Sequence, residues 1–131
     1  MKIPIFIDAR GASAIHGQLL VRYGGARGLR DRKLLESALA RPRKKISSPN
    51  IVEMATAYTA GIVKSHPFVD GNKRTGFVVG VLFLELNGFD FTASEAEAAQ
   101  AILELAAGTI DETGFALFLK DHLKRARKRA K

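Results

Sequence analysis

A chain of 131 residues has the length of one ordinary domain with a single real core. Cysteine is absent, which excludes a disulfide framework and a cysteine-ligated metal and fits a reducing, cytoplasmic setting. The net charge of +8 is unevenly placed: six of the eight residues from Lys124 to Lys131 are basic, leaving 15 basic against 13 acidic residues in a nearly neutral domain over 1–123.

Residues 3–8 alternate weakly and read as a short extended lead-in, too short and too soon interrupted for a secretory signal. Ala12 to Arg22 then places Ile15, Leu19 and Leu20 on one face of a first helix that Gly24-Gly25 terminates. His16 on that helix is read as structural, with a place near an active-site mouth as the alternative. Gly24 to Gly28 matches neither a Walker A loop nor a dinucleotide fingerprint and is read as a turn. Asp31 caps a second helix with Leu34, Leu35, Ala38 and Leu39 inward, stopped by Pro42. Arg41, Arg43, Lys44 and Lys45 form a basic loop, solvated or serving as a rim for an acidic partner.

Either Ser48 with Pro49 at the first helical position, or Asn50 with Glu53 three residues on, starts the third helix. This helix runs to Ser65, because Pro67 disfavours the α region for His66. Asp70 reads as the N-cap of a fourth helix, Gly71 to Asn87, apolar nearly all round and so the expected central rod of the fold. Its longest apolar stretch, Phe77 to Leu84, is too short to span a bilayer, and no membrane partner is expected. Phe89 to Thr92 is an extended link. Thr92 or Ser94 caps a helix over Glu95 to Ala107 with Ile102, Leu103 and Ala106 inward, and Asp111 opens a last helix whose Phe115, Phe118, Leu119 and Leu123 form a stripe. His122 is read as a helix-end residue. The tail after it is read as a solvated helix end, with an RNA or ribosome contact through Lys124–Lys131 as the other reading. The fold class is therefore all-α, about six helices in one domain.

Chemistry concentrates in residues 65–76, Ser-His-Pro-Phe-Val-Asp-Gly-Asn-Lys-Arg-Thr-Gly. A helix start offers unpaired N–H groups and partial positive charge, and Gly71 lets an incoming group approach the main chain. With Asn72, Lys73 and Arg74 alongside, the fitting ligand is a polyphosphate. Asp70 is placed to hold a magnesium ion that bridges phosphate oxygens, and His66 is the group able to take a proton from a hydroxyl near neutral pH. Phe68 is read as a core anchor for the loop. Three histidines without an HExxH pattern do not make a zinc site, and there is no GxSxG elbow. The chemistry alone implies a nucleotide-dependent transferase acting on a hydroxyl.

His66-Pro67-Phe68-Val69-Asp70-Gly71-Asn72-Lys73-Arg74-Thr75-Gly76 resembles the signature of the Fic/Doc (Fido) superfamily, and Lys73 makes it similar to the Doc, or death-on-curing, branch. The likeness extends through Arg22-Tyr23-Gly24-Gly25, Leu29-Arg30-Asp31, Leu34 to Pro42 and Phe83 to Gly88. AMP-transferring Fic enzymes usually carry glycine at the position of Lys73 and a second arginine at that of Phe77. This resemblance implies a Fido-type helical bundle around the helix over 71–87. It also implies a toxin of a toxin-antitoxin system that moves the γ-phosphate of ATP, with magnesium, onto a threonine of elongation factor Tu. By the motif, His66 is the base, Asp70 the metal carboxylate, and Gly71, Asn72, Lys73, Arg74 and Thr75 the phosphate set, Lys73 and Arg74 also serving catalysis. No Ser or Thr here has Glu four positions later, the self-inhibitory pattern of many Fic proteins. The expected inhibitor is thus a separate antitoxin of the prevent-host-death type, whose C-terminal segment binds in a groove. Two alternatives are an AMP-transferring enzyme of the same fold and a non-enzymatic member that binds nucleic acid or the ribosome.

Overall fold

The computed structural model describes residues 3–45 and 50–126. Six α-helices follow one another: α1 (Ala9–Tyr23), α2 (Arg32–Ala40), α3 (Ile51–Ser65), α4 (Asn72–Leu86), α5 (Glu95–Ala107) and α6 (Glu112–Asp121). A 3₁₀ turn over Pro42–Lys45 follows α2, and two three-residue strands, β1 (Phe89–Phe91) and β2 (Leu123–Arg125), pair antiparallel. The fold is all-α apart from this ribbon. No helix among the described residues is long and apolar enough to cross a membrane.

Local chemistry sets most boundaries. Asp31, Asn50, Ser94 and Asp111 each accept a backbone N–H from the first turn of the helix they precede, as their residue types predict. Asp8 does the same for α1, which therefore begins three residues before the expected start at Ala12. The alternative cap at Ser48 lies outside the described residues, and Asn50 with Glu53 occupies the role.

The core is organised on α3 packed against α4. From Met54 to Val63 every residue of α3 is buried, whereas α4 keeps Lys73, Arg74, Glu85 and Leu86 exposed. The axis of the fold is thus a pair of helices, with α3 the more enclosed member. Close approach is made by glycine: a Cβ at Gly76 would stand 3.0 Å from Thr59 O, and one at Gly80 would collide with Thr59 Oγ1. Thr59 Oγ1 donates to Gly76 O at 2.8 Å, which fastens the two helices across this seam. Tyr58 on α3 and Phe83 on α4, both fully buried, pack at a tilt of 52° with ring centres 5.1 Å apart.

The lead-in segment is tied down from α3 and from the C-terminal end of α4. Tyr58 Oη accepts from Ile7 N–H at 2.8 Å and donates to Ile7 O at 3.2 Å, while Asn87 exchanges two bonds with the backbone of Ile5. Each buried polar group of this crossing is paired, as burial requires.

Two local expectations are corrected. On α5 the buried stripe is Ala98, Ala101, Ile102 and Leu105, and Leu103 is 54% exposed with Ala106 also outside. Leu123, Lys124 and Arg125 leave the helix and form β2, with Arg125 opposite Phe89, so the start of the basic tail is a paired strand and not a helix end. Residues 127–131 lie outside the described residues. The basic loop after α2 keeps Arg43, Lys44 and Lys45 exposed, as a solvated loop requires, while Arg41 bonds Glu112 at 2.7 Å and the Arg43 guanidinium lies 4.5 Å from the Phe6 ring centre.

Candidate active site

The site is the six-residue connection 66–71 between α3 and α4. His66 ends α3 with φ 53° and ψ 57°, the one non-glycine residue of positive φ among those described. Its N–H still reaches Ile62 O at 3.2 Å, and its side chain is exposed. A left-handed conformation costs a side-chain-bearing residue about 1–2 kcal/mol, so the surroundings must hold it. They do so from residues 28–31. Arg30 Nε donates to His66 O at 2.6 Å and Arg30 Nη2 to Ser65 O at 2.8 Å. The N–H groups of Arg30 and Asp31 both donate to Pro67 O, and Val69 N–H donates to Gly28 O.

Inside the loop, Phe68 is buried, as its role of anchor requires. Asn72 clamps it: Oδ1 accepts from Phe68 N–H at 3.0 Å and Nδ2 donates to Phe68 O at 2.9 Å. The side chain of Asn72 is consequently spent on the loop itself, which corrects its assignment as an amide donor to phosphate. His16, 5% exposed, stacks on the Phe68 ring at 3.9 Å between centres and bonds Asp70 O through Nε2 at 2.8 Å. Its structural reading and its placement beside the site both hold. It also lines a cleft of about 540 Å³ with Leu20, Gly25, Arg27 and Gly28.

Asp70 is not the cap of α4. Gly71, at φ 77°, occupies that position and supplies no side-chain bond. Asp70 instead accepts from Ala26 N–H through Oδ2 at 3.1 Å and from Gly71 N–H through Oδ1 at 2.9 Å. These two bonds, chiefly the one from Ala26, hold its carboxyl below the usual carboxylate range, with His16 and Arg74 adding to the effect. The glycine-rich turn therefore fixes the acid of the site. One exposed, ionised carboxylate fits a magnesium ion that takes its remaining ligands from phosphate and water. Among the described residues no group of three His, Asp or Glu side chains could cage a metal.

The first turn of α4 is open. Thr75 N–H bonds Gly71 O, and the N–H groups of Asn72, Lys73 and Arg74 have no acceptor among the described residues. Lys73 is exposed and in no ion pair among them. Arg74 lays its guanidinium 4.1 Å from the ring centre of Tyr23, the last residue of α1. Thr75 is the third correction. It is fully buried and its hydroxyl has no partner among the described residues, so it does not stand at the surface where a phosphate would bind. Phe77, where AMP-transferring relatives of the motif carry arginine, is half-buried and packs edge-on against Phe91 at 5.6 Å.

His66 and Asp70 thus lie on the connection and Lys73 and Arg74 on the first turn of α4 that follows it, where three amides have no acceptor among the described residues, while the side chains of Asn72 and Thr75 are buried away from this set. Arg30, Tyr23 and the N–H of Ala26 are the participants that sequence reasoning left without a role. The only signal for Tyr23 and Arg30 was membership of the Arg22 to Gly25 and Leu29 to Asp31 segments, and Ala26 lies in the Gly24 to Gly28 stretch read as a turn.

A family model described as the Fic/DOC family matches residues 6–84, which contain all of these groups. The chain belongs to the Fic/Doc family. Among curated Fic/Doc relatives it is similar to Toxin Doc of Mycolicibacterium smegmatis, 34% identical over 77 residues, 56% of this chain and 59% of that protein. It is also similar to Protein kinase doc of Escherichia phage P1, 30% identical over 106 residues, 79% of this chain and 83% of that protein. The first alignment spans less than two thirds of the Mycolicibacterium protein's length. Segments 24–31 and 66–76, which build the site, both lie inside the matched family region.

Proposed function

We propose that this chain is a Doc-like toxin that phosphorylates a hydroxyl of a translation factor, with ATP as donor and magnesium as its companion ion. The observation that carries the reading is an exposed histidine on the exit of α3, joined by a short tethered loop to a helix start whose first amides have no acceptor among the described residues and which carries exposed Lys73 and Arg74, the latter laid on Tyr23. The names of the two relatives, a toxin and a protein kinase, support the same class.

In this mechanism His66 accepts the proton of a Ser or Thr hydroxyl as its oxygen attacks the γ-phosphorus. The bond from the γ-phosphorus to the β,γ-bridging oxygen breaks, and ADP leaves with that electron pair. Lys73, Arg74 and the amides of Asn72, Lys73 and Arg74 bind the charge spread over the phosphoryl oxygens, the principal task in such transfers. Asp70, whose carboxylate is favoured by the N–H groups of Ala26 and Gly71, would hold the metal, which would supply charge neutralisation on the phosphates. A threonine of elongation factor Tu is the proposed acceptor, and the cytoplasm the proposed place of action. A prevent-host-death antitoxin is the proposed inhibitor; co-expression should restore growth and yield a complex, and failure of both removes it.

Transfer of AMP by the same loop is the competing chemistry. Lys73 argues against it, since a long cation stands where AMP-transferring relatives of the motif have glycine. Incubation of the protein with γ-labelled or α-labelled ATP and a cell lysate decides between them. Label from the γ position only, lost in His66→Ala, is the expected result; label from the α position assigns AMP transfer, and no label from either withdraws the enzymatic reading.

A further inference from the structure

We infer that Arg30 is a positioning residue for His66, an assignment that rests on the phosphotransfer reading above. One residue grips three successive carbonyls at the end of α3: Nη2 on Ser65 O at 2.8 Å, Nε on His66 O at 2.6 Å, and its own N–H on Pro67 O at 2.7 Å. The last carbonyls of a helix are left without intrahelical partners and carry its partial negative charge, so a cation is favoured there. A planar guanidinium can donate to two of them at once in a fixed geometry, which an ammonium on a flexible stem does not reproduce.

This grip falls where the backbone is least comfortable. His66 stands in the left-handed region at φ 53°, without the freedom of a glycine. Pro67 discourages a further helical turn but does not by itself select the left-handed well. The two side-chain bonds of Arg30 fix the peptide planes on both sides of His66, and therefore the direction in which its imidazole leaves the loop. Arg30 reaches the site from an exposed loop outside the packed core, and its backbone bond to Pro67 does not depend on its side chain. Replacing the side chain should release the conformation of His66 while the segment stays attached.

The test uses the full chain as wild type, Arg30→Ala and Arg30→Lys. The carbon-13 shift of His66 Cα, assigned by its loss in His66→Ala, reports the backbone conformation. Transfer from γ-labelled ATP to lysate protein reports the rate at saturating ATP and the ATP concentration giving half that rate. For Arg30→Ala the expected result is a His66 shift moved out of the left-handed range and a rate lowered about 100-fold, the scale of a 1 Å misplacement, with half-saturation within about twofold of wild type. Arg30→Lys should fall between the two, and guanidinium ion should restore part of the rate to Arg30→Ala. Unchanged His66 shift in Arg30→Ala overturns the assignment, as does a loss of rate matched by an equal loss of ATP affinity. If Arg30→Ala does not fold, the same readings on Arg30→Lys decide it. Absence of label transfer in the wild type removes the phosphotransfer reading alone, because the shift still decides whether Arg30 holds His66.

Discussion

At the start of α5, Ser94 accepts from Glu97 N–H while the Glu97 side chain accepts from Ser94 N–H, and the helix end is closed by its own residues. At the start of α4, Gly71 offers no side chain, and the N–H groups of Asn72, Lys73 and Arg74 have no acceptor among the described residues. The other four α-helices are capped by Asp8, Asp31, Asn50 and Asp111. A side-chain cap is worth about 0.5–2 kcal/mol over alanine but only a few tenths over glycine, so with Gly71 at its cap α4 forgoes a small stabilisation that this chain obtains at every other described helix start. The nearest carboxylate, Asp70, is drawn away to Ala26 and to the one amide at Gly71. What α4 gains is a positive helix end whose first amides are unpaired among the described residues, five residues on from the exposed His66.

That contrast can be broken at either end. The largest effect is expected from Lys73→Ala: loss of one charged donor to the transferring phosphoryl should lower the transfer rate about 10²–10³-fold, with the unfolding temperature nearly unchanged. A rate within a few-fold of wild type would mean that the amides suffice without it. Ser94→Ala should do the reverse, lowering stability by about 1 kcal/mol in denaturant unfolding and leaving transfer intact. If it impairs transfer, the two helix ends are coupled and the contrast is not local.

A smaller effect is expected on the acid side. Backbone donors hold both Asp70 and Glu97 below their ordinary carboxylate values, so each contributes stability that is present above the unfolded value and lost as pH falls through the folded one. The slope of unfolding temperature against pH below about pH 5 should therefore be shallower in Asp70→Asn, and a slope equal to wild type would discount the Ala26 and Gly71 bonds. The smallest effect belongs to His122, raised by its bond to Phe118 O and by Glu97. Its contribution is full below the unfolded value of about 6.5 and is lost as pH rises through the higher folded value. His122→Gln should flatten the stability profile between about pH 6 and 8, and an unaltered profile there would show the contact to be idle.

Capping made most of the fold legible. Asp31, Asn50, Ser94 and Asp111 each announce a helix by residue type and position, and the apolar spacing between them follows. The same reasoning misled at Asp70, because a carboxylate before Gly-Asn-Lys-Arg looks like a cap until the partner of its oxygens, Ala26, is brought in from 44 positions away. Asn72 was misassigned for a related reason. Its bonds close on Phe68, within the loop, and nothing in the residue type distinguishes that from binding a ligand. The β1·β2 ribbon was not readable, since Leu123-Lys124-Arg125 has no strand alternation of its own and is recruited by Phe89 to Phe91. The exposed places of His66, Lys73 and Arg74 follow from residues close to them in sequence, whereas the place of Arg30 depends on a contact across 36 residues.

The central claim, that α4 leaves its first turn open for phosphate, is tested most directly by the backbone amide resonances of the full chain during titration with magnesium and ATP. The account predicts that the N–H signals of Asn72, Lys73 and Arg74 shift progressively and saturate together, while those of Ala96 and Glu97 at the capped start of α5 stay in place. Saturable binding that leaves residues 72–74 unmoved would contradict it.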